Sequence, residues 1–194
     1  MFWQDQGVLV TCQPFSNDHF LLGFLTQNNG LAKGIVRTRH TGWVLGACAD
    51  IQWQGACDQS LGAFDVGSAY GPVPLLMDRP IVLRTVHMMC ILCAALLPQR
   101  VPMPFVYGSF LYTLTVLSTE KGLIAYNDFE NVLLQELGYG QCPSNTCGKV
   151  IDMLRARRVV FSKHWPDHGY LRRQRDTFVA DISTIMTRQR TQCA

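Results

Sequence analysis

Lys33, Arg37 and Arg39 fall at positions of one parity in a stretch that reads as a strand, and His40 lies just beyond it. Side chains alternate across a strand, so all three cations can project from one face. A row of cations of this kind suits a phosphate backbone, and Trp43 nearby offers a ring on which a base could stack. Such stacking contributes roughly 1–3 kcal/mol per base and tolerates any sequence. An ordinary solvated strand face has the same composition, so the row by itself leaves both readings open.

A second group comprises Arg155, Arg157, Arg158 and Lys163, continued by Arg172, Arg173 and Arg175. These seven cations occupy 21 positions and are opposed within that span only by Asp167. The planar guanidinium fork donates two parallel hydrogen bonds, which matches phosphate. It matches an acidic peptide equally well, and a soluble surface has similar needs. The net charge of +3 conceals the imbalance: residues 1–147 hold 7 Lys and Arg against 10 Asp and Glu, whereas residues 148–194 hold 10 against 4. A basic C-terminal quarter points to a polyanionic partner, of which nucleic acid is the commonest.

Of the eight cysteines, Cys90 and Cys93 have metal or redox spacing but sit in an apolar segment, where a thiol acts as a small hydrophobe. Cys142 and Cys147 lie on a turn and are the candidate metal ligands. A closed zinc site wants four ligands, and downstream there are only His164, His168 and Cys193. No metal or other cofactor is therefore expected. There is no phosphate-binding Gly-rich loop ending in Lys-Ser/Thr, no GxSxG and no HExxH, so an enzyme is not expected either. No leader-like start is visible, and the apolar run His87–Leu97 is shorter than the roughly 20 residues that span a bilayer. Reduced thiols in a cytoplasmic protein away from the membrane are the expectation.

The elements that must position these residues change character near Gly71-Pro72-Val73-Pro74. Before it, Gly7–Cys12, Phe20–Thr26, Leu31–Arg39, Ala49–Gln54 and Leu61–Gly67 read as strands, with Asn28-Asn29-Gly30 as a hairpin signal. Five short strands in residues 1–71 suggest a small barrel, the oligonucleotide/oligosaccharide-binding (OB) barrel foremost. After it, residues 72–194 read as a helical domain with a basic end. Helices are expected over Ile81–Leu97, Phe105–Leu117 and Gly122–Leu137, with a short strand at Val159–Phe161 and a last helix over Phe178–Gln189. In the third helix Phe129, Val132, Leu133 and Leu137 share a face, which leaves Glu130 and Gln135 on the remaining surface. Gly138 is placed to cap it in the left-handed conformation. The fold class is thus α+β.

Several of these segments, in this order, resemble the RecO family of bacterial recombination mediators. Trp3-x-x-x-Gly7-Val8-Leu9 is similar to that family's opening strand, and Phe24–Gly30 with the basic strand behind it to its second and third. Asp50-Ile51-Gln52-Trp53, Leu61-Gly62 and Phe64 resemble the barrel's end. The most specific segment is Phe129-Glu130-x-x-Leu133-Leu134-x-Glu136-Leu137-Gly138-Tyr139 with a cysteine soon after. The resemblance covers residues 1–148 in order and spacing and 149–194 loosely. It implies an OB barrel and a helical domain without catalytic activity. It also implies binding of single- and double-stranded DNA, annealing of complementary strands and, indirectly, loading of RecA onto strands coated by single-stranded-DNA-binding protein (SSB). RecR and the acidic SSB C-terminal tail are the implied partners. Many family members hold zinc through four cysteines after the helix. Here Cys147-Gly148 fits that pattern, Cys142 is two positions out of step, and Leu171-Arg172-Arg173 stands where the second pair would fall. Two other readings remain beside this one: an OB-fold RNA-binding protein and an adaptor for acidic peptide tails.

Overall fold

The computed structural model describes residues 1–37, 42–57, 61–73, 78–139 and 150–192. Among them five strands precede six helices: β1 (Phe2–Ser16), β2 (His19–Thr26), β3 (Gly30–Arg37), β4 (Cys48–Gln54), β5 (Gly62–Val66), α1 (Pro80–Leu96), α2 (Pro104–Val116), α3 (Gly122–Glu136), α4 (Val150–Ala156), α5 (Arg158–His164) and α6 (Gly169–Gln192). The strands close into a barrel in the order β1-β2-β3-β5-β4, with β4 returning to β1. The β3–β5 contact is parallel and the other pairings are antiparallel. A closed five-stranded barrel followed by helices is the expected OB-fold in an α+β chain. Among the described residues, no helix is long and apolar enough to cross a membrane.

β1 is much longer than the apolar run Gly7–Cys12 suggests. Its first half pairs with β4 and its second half with β2. A bulge between Leu9 and Thr11 turns the strand from one partner towards the other. Leu9, Leu22, Phe24, Ala32, Val36, Ala49, Ile51, Trp53 and Phe64 fill the barrel. Val8, Val10, Leu25, Leu31 and Cys48 point the opposite way, into a second cluster shared with the helices. That outward stripe is covered chiefly by α1, whose Val82, Val86, Met89 and Cys93 are buried in the same cluster.

The Asn-Gly hairpin forms as its residues dictate. Gly30 has φ +63°, and a Cβ there would lie 2.0 Å from the Val101 carbonyl oxygen, so only glycine fits. The Asp5 carboxylate accepts hydrogen bonds from the Asn28 amide, Asn28 Nδ2 and Asn29 Nδ2 at 2.9–3.0 Å, which ties the turn to β1. Across from it, the α1–α2 connection docks on the barrel. The Arg100 amide donates to the Leu31 carbonyl at 3.0 Å, and the Arg100 guanidinium sits 4.0 Å over the Trp53 ring and 5.3 Å over Trp3. Those two indoles are themselves stacked, with centroids 5.7 Å apart.

Two expectations fail in the C-terminal part. Val159–Phe161 is not a strand but the middle of α5. The β-branched pair favours a strand locally, but Arg157, Phe161 and Trp165 recur every four residues on the helix face turned inward, and burial of that face overrides propensity. The last helix begins at Gly169, well before Phe178. Its inward stripe runs Leu171, Arg175, Phe178, Val179 and Ile182, so a cation occupies a core position and breaks the apolar pattern. Gly138 does cap α3, at φ +82°, with the Gly138 and Tyr139 amides donating to the Gln135 and Leu134 carbonyls at 2.9 Å.

Candidate nucleic-acid interface

The barrel registers arrange the outer face of β2 and β3 into rows. Residues directly opposite one another on paired strands share a side of the sheet. Thr11, Gly23 and Lys33 form one row, Gln13, Leu21 and Ile35 the next, and His19 stands opposite Arg37 at the far end. Gly23 carries no side chain, and Lys33 and Thr11 close over the gap: a Cβ on Gly23 would lie 2.4 Å from Thr11 Oγ1 and 3.8 Å from Lys33 Cγ. Lys33 is half-exposed and Arg37 exposed, on the shared face that their parity requires. His19 is the residue that sequence spacing missed. The available signal was its position at the start of a strand returning through a tight turn, which sets it opposite the end of the basic strand. Arg39 and His40 lie outside the described residues. Trp43 is half-buried against the barrel interior and lines a groove with Arg37, Val36 and Val66. Its ring is therefore partly committed to packing.

The second cationic group does not form one surface. Arg157 and Arg175 are 2% and 1% exposed. They cannot meet a phosphate from there, and this corrects their assignment to a DNA surface. Glu130, expected on the surface of α3, is instead wholly buried between them. Arg175 Nη2 and Nε donate to the two Glu130 carboxylate oxygens at 2.8 and 3.0 Å. Arg157 Nη1 donates to Oε2 at 3.0 Å, and the Tyr126 hydroxyl donates to Oε1 at 2.5 Å. Arg157 Nη2 donates to Asn127 Oδ1 at 2.8 Å, and Arg175 lies 4.7 Å over the Phe161 ring while donating to the Leu154 carbonyl. Burial by itself would push the Glu130 pKa up, but Arg175 and Arg157 outweigh it and hold the carboxyl below its ordinary value. The cluster joins α3, α4, α5 and α6 through charge the solvent does not reach.

The other cations of this group stay outside. Arg155 and Arg158 are exposed and stand 3.6 Å from Asp152 and 3.1 Å from Asp176, solvent-facing pairs that a phosphate can displace. Lys163 and Arg173 are exposed. Arg172 is half-buried, and its Nη2 donates to the Pro166 carbonyl at 2.7 Å.

Cys90 and Cys93 are buried in α1, and desolvation raises both thiols, Cys90 to about 12. Burial also raises Cys12 and Cys48. A thiol held protonated in this way is a poor nucleophile and a poor metal ligand. Among the described residues no group of three or more His, Cys, Asp or Glu side chains is placed to hold a metal ion. Cys142 and Cys147 lie outside the described residues.

Barrel, helical layer and cationic strand face together define an OB-barrel protein built for an extended anionic ligand. No family model matches the chain. Individual proteins do. The chain is 30% identical over 146 residues to the DNA repair protein RecO of Ruegeria sp. (strain TM1040), a match covering 72% of this chain and 61% of that one. It is 28% identical over 144 residues to the DNA repair protein RecO of Dinoroseobacter shibae, covering 71% and 60%. The corresponding figures for the DNA repair protein RecO of Anaplasma marginale (strain Florida) are 29% over 151 residues, 72% and 59%. The chain belongs to the RecO family. It spans about three fifths of the length of the curated relatives it matches.

Proposed function

We propose that this chain is a non-enzymatic DNA-repair protein that binds single- and double-stranded DNA and anneals complementary strands. In this reading it assists RecA loading on SSB-coated strands together with RecR, and it contacts the acidic SSB tail. The observation that carries the DNA part is the outer face of β2–β3, where Lys33, Arg37 and His19 stand on an open OB-barrel surface. Its relatives bear the name DNA repair protein RecO. The mechanism is charge neutralisation: cations on a rigid barrel lower the mutual repulsion of two strands and let them meet. No side chain need react, and no cofactor is assigned.

The test is annealing of two complementary oligonucleotides, bare and SSB-coated, across a salt series. Acceleration on both substrates, fading as salt rises, is expected. The Lys33→Ala/Arg37→Ala variant should bind single strands more weakly, with the log–log salt slope flatter by about 1.4, since each lost phosphate contact removes about 0.7. An unaltered slope and affinity would remove the barrel face from the reading. Acceleration on bare strands alone would keep the DNA surface and discard the SSB contact.

A further inference from the structure

Beyond Lys33 and Arg37, the barrel face does not end at the β1 edge of the sheet. The row Ile35–Leu21–Gln13 leads across β1, where Gln13 is exposed. Gln13 forms one wall of a groove whose other walls are Ile91 and Ala94 of α1 and Asp167, Tyr170 and Leu171 around the start of α6. Tyr170 is 60% exposed although Leu171 beside it is buried. Arg173, three residues on and exposed, lies on the same helix face as Tyr170. A flat aromatic ring with a neighbouring cation, reached from a cationic strand face through a polar residue, is the arrangement on which a nucleic-acid strand stacks a base while its phosphate is neutralised. Lys33, Arg37 and Arg173 along this path outnumber Asp167, so the charge favours a polyanion.

We propose that Tyr170 and Arg173 extend the barrel's DNA surface onto α6. A single strand leaving the β2–β3 face crosses Gln13, stacks one base on Tyr170 and sets the adjoining phosphate against Arg173. The proposal rests on the DNA-binding reading above and adds to it a path and a stacking residue. It makes the junction between barrel and helical layer part of the binding track.

The test uses the full chain with two oligothymidylates, of about 8 and about 20 nucleotides, bracketing what one OB barrel covers. Tyr170→Ala should weaken binding of the long strand about tenfold and leave the short one within about twofold, with the salt slope unchanged because no charge is lost. Tyr170→Phe should restore it. Arg173→Ala should flatten the slope for the long strand only. A long strand carrying 5-iodouridine should photocross-link to the peptide containing Tyr170. If wild type binds both strands, Tyr170→Ala binds them equally well and the cross-links stay on the barrel, the extension is wrong and the barrel reading stands. If wild type binds neither strand at low salt, both fail together. If Tyr170→Ala instead changes the sedimentation of the protein without DNA, the groove belongs to a second copy of the chain, which also overturns the proposal.

Discussion

At Glu130 a single carboxylate faces two guanidinium groups in a place where water does not reach, and the protein core carries the excess positive charge. Removing the acid leaves two buried cations without their counter-ion, a loss typically of about 3–5 kcal/mol. Glu130→Ala should therefore lower the urea midpoint by that amount or leave no folded protein, and a midpoint near wild type would sink the account. The pH dependence has a definite sign. A carboxyl held below its ordinary value in the folded state contributes stability that is complete above its unfolded value of about 4.3 and is lost as pH falls through the folded value. Thermal midpoints of wild type should fall as pH drops below about 4.3, and Glu130→Gln should fall less steeply from a lower start. Equal steepness in the two proteins would mean that the cluster does not titrate with folding. None of this was legible in the sequence. The periodicity of α3 leaves Glu130 on the polar side, and a run of arginines reads as surface. The partner that buries Arg157 lies 27 residues away and that of Arg175 lies 45, a distance that no local pattern spans.

At the scale of elements, the strands and the three apolar helices were readable because alternation, a helical period and Asn-Gly, Pro and Gly signals agree there. The joints between elements were not. Closure of the barrel depends on Gly34 and Gly62 facing each other across β3 and β5. A Cβ on Gly34 would come 2.7 Å from the Phe64 ring, and one on Gly62 would come 2.3 Å from the Trp53 ring. Docking of the α1–α2 connection depends on Arg100 over Trp53, two residues with nothing local to link them. A partly desolvated cation over an indole contributes about 1–2 kcal/mol. Arg100→Ala should cost about that much stability and shift tryptophan emission to the red as Trp3 and Trp53 gain solvent. An unchanged spectrum with unchanged stability would mean that the contact holds nothing in place.

For the whole molecule, the division near Gly71 separates strands from helices in sequence but not in the core. Val8, Val10, Leu25 and Leu31, on the barrel's exterior, belong to the same apolar cluster as Val86, Met89, Phe110 and Phe129. Two folding units with a thin contact would unfold in separate steps. A continuous cluster predicts one transition, with far- and near-ultraviolet circular dichroism melting together. Two resolved transitions would contradict it. The imbalance of charge between the two parts of the sequence pointed correctly to cations at the surface, but it overstated their number, since two of the arginines neutralise an acid inside.

The exterior stripe has one more consequence, for the order in which the chain is made. All five strands leave the ribosome before α1 does, so a newly closed barrel presents Val8, Val10, Leu25 and Leu31 to water until the helices arrive. For that interval the nascent chain carries a sticky seam, open to chaperones and to neighbouring copies alike. The helical layer acts late in biosynthesis as the barrel's own cover.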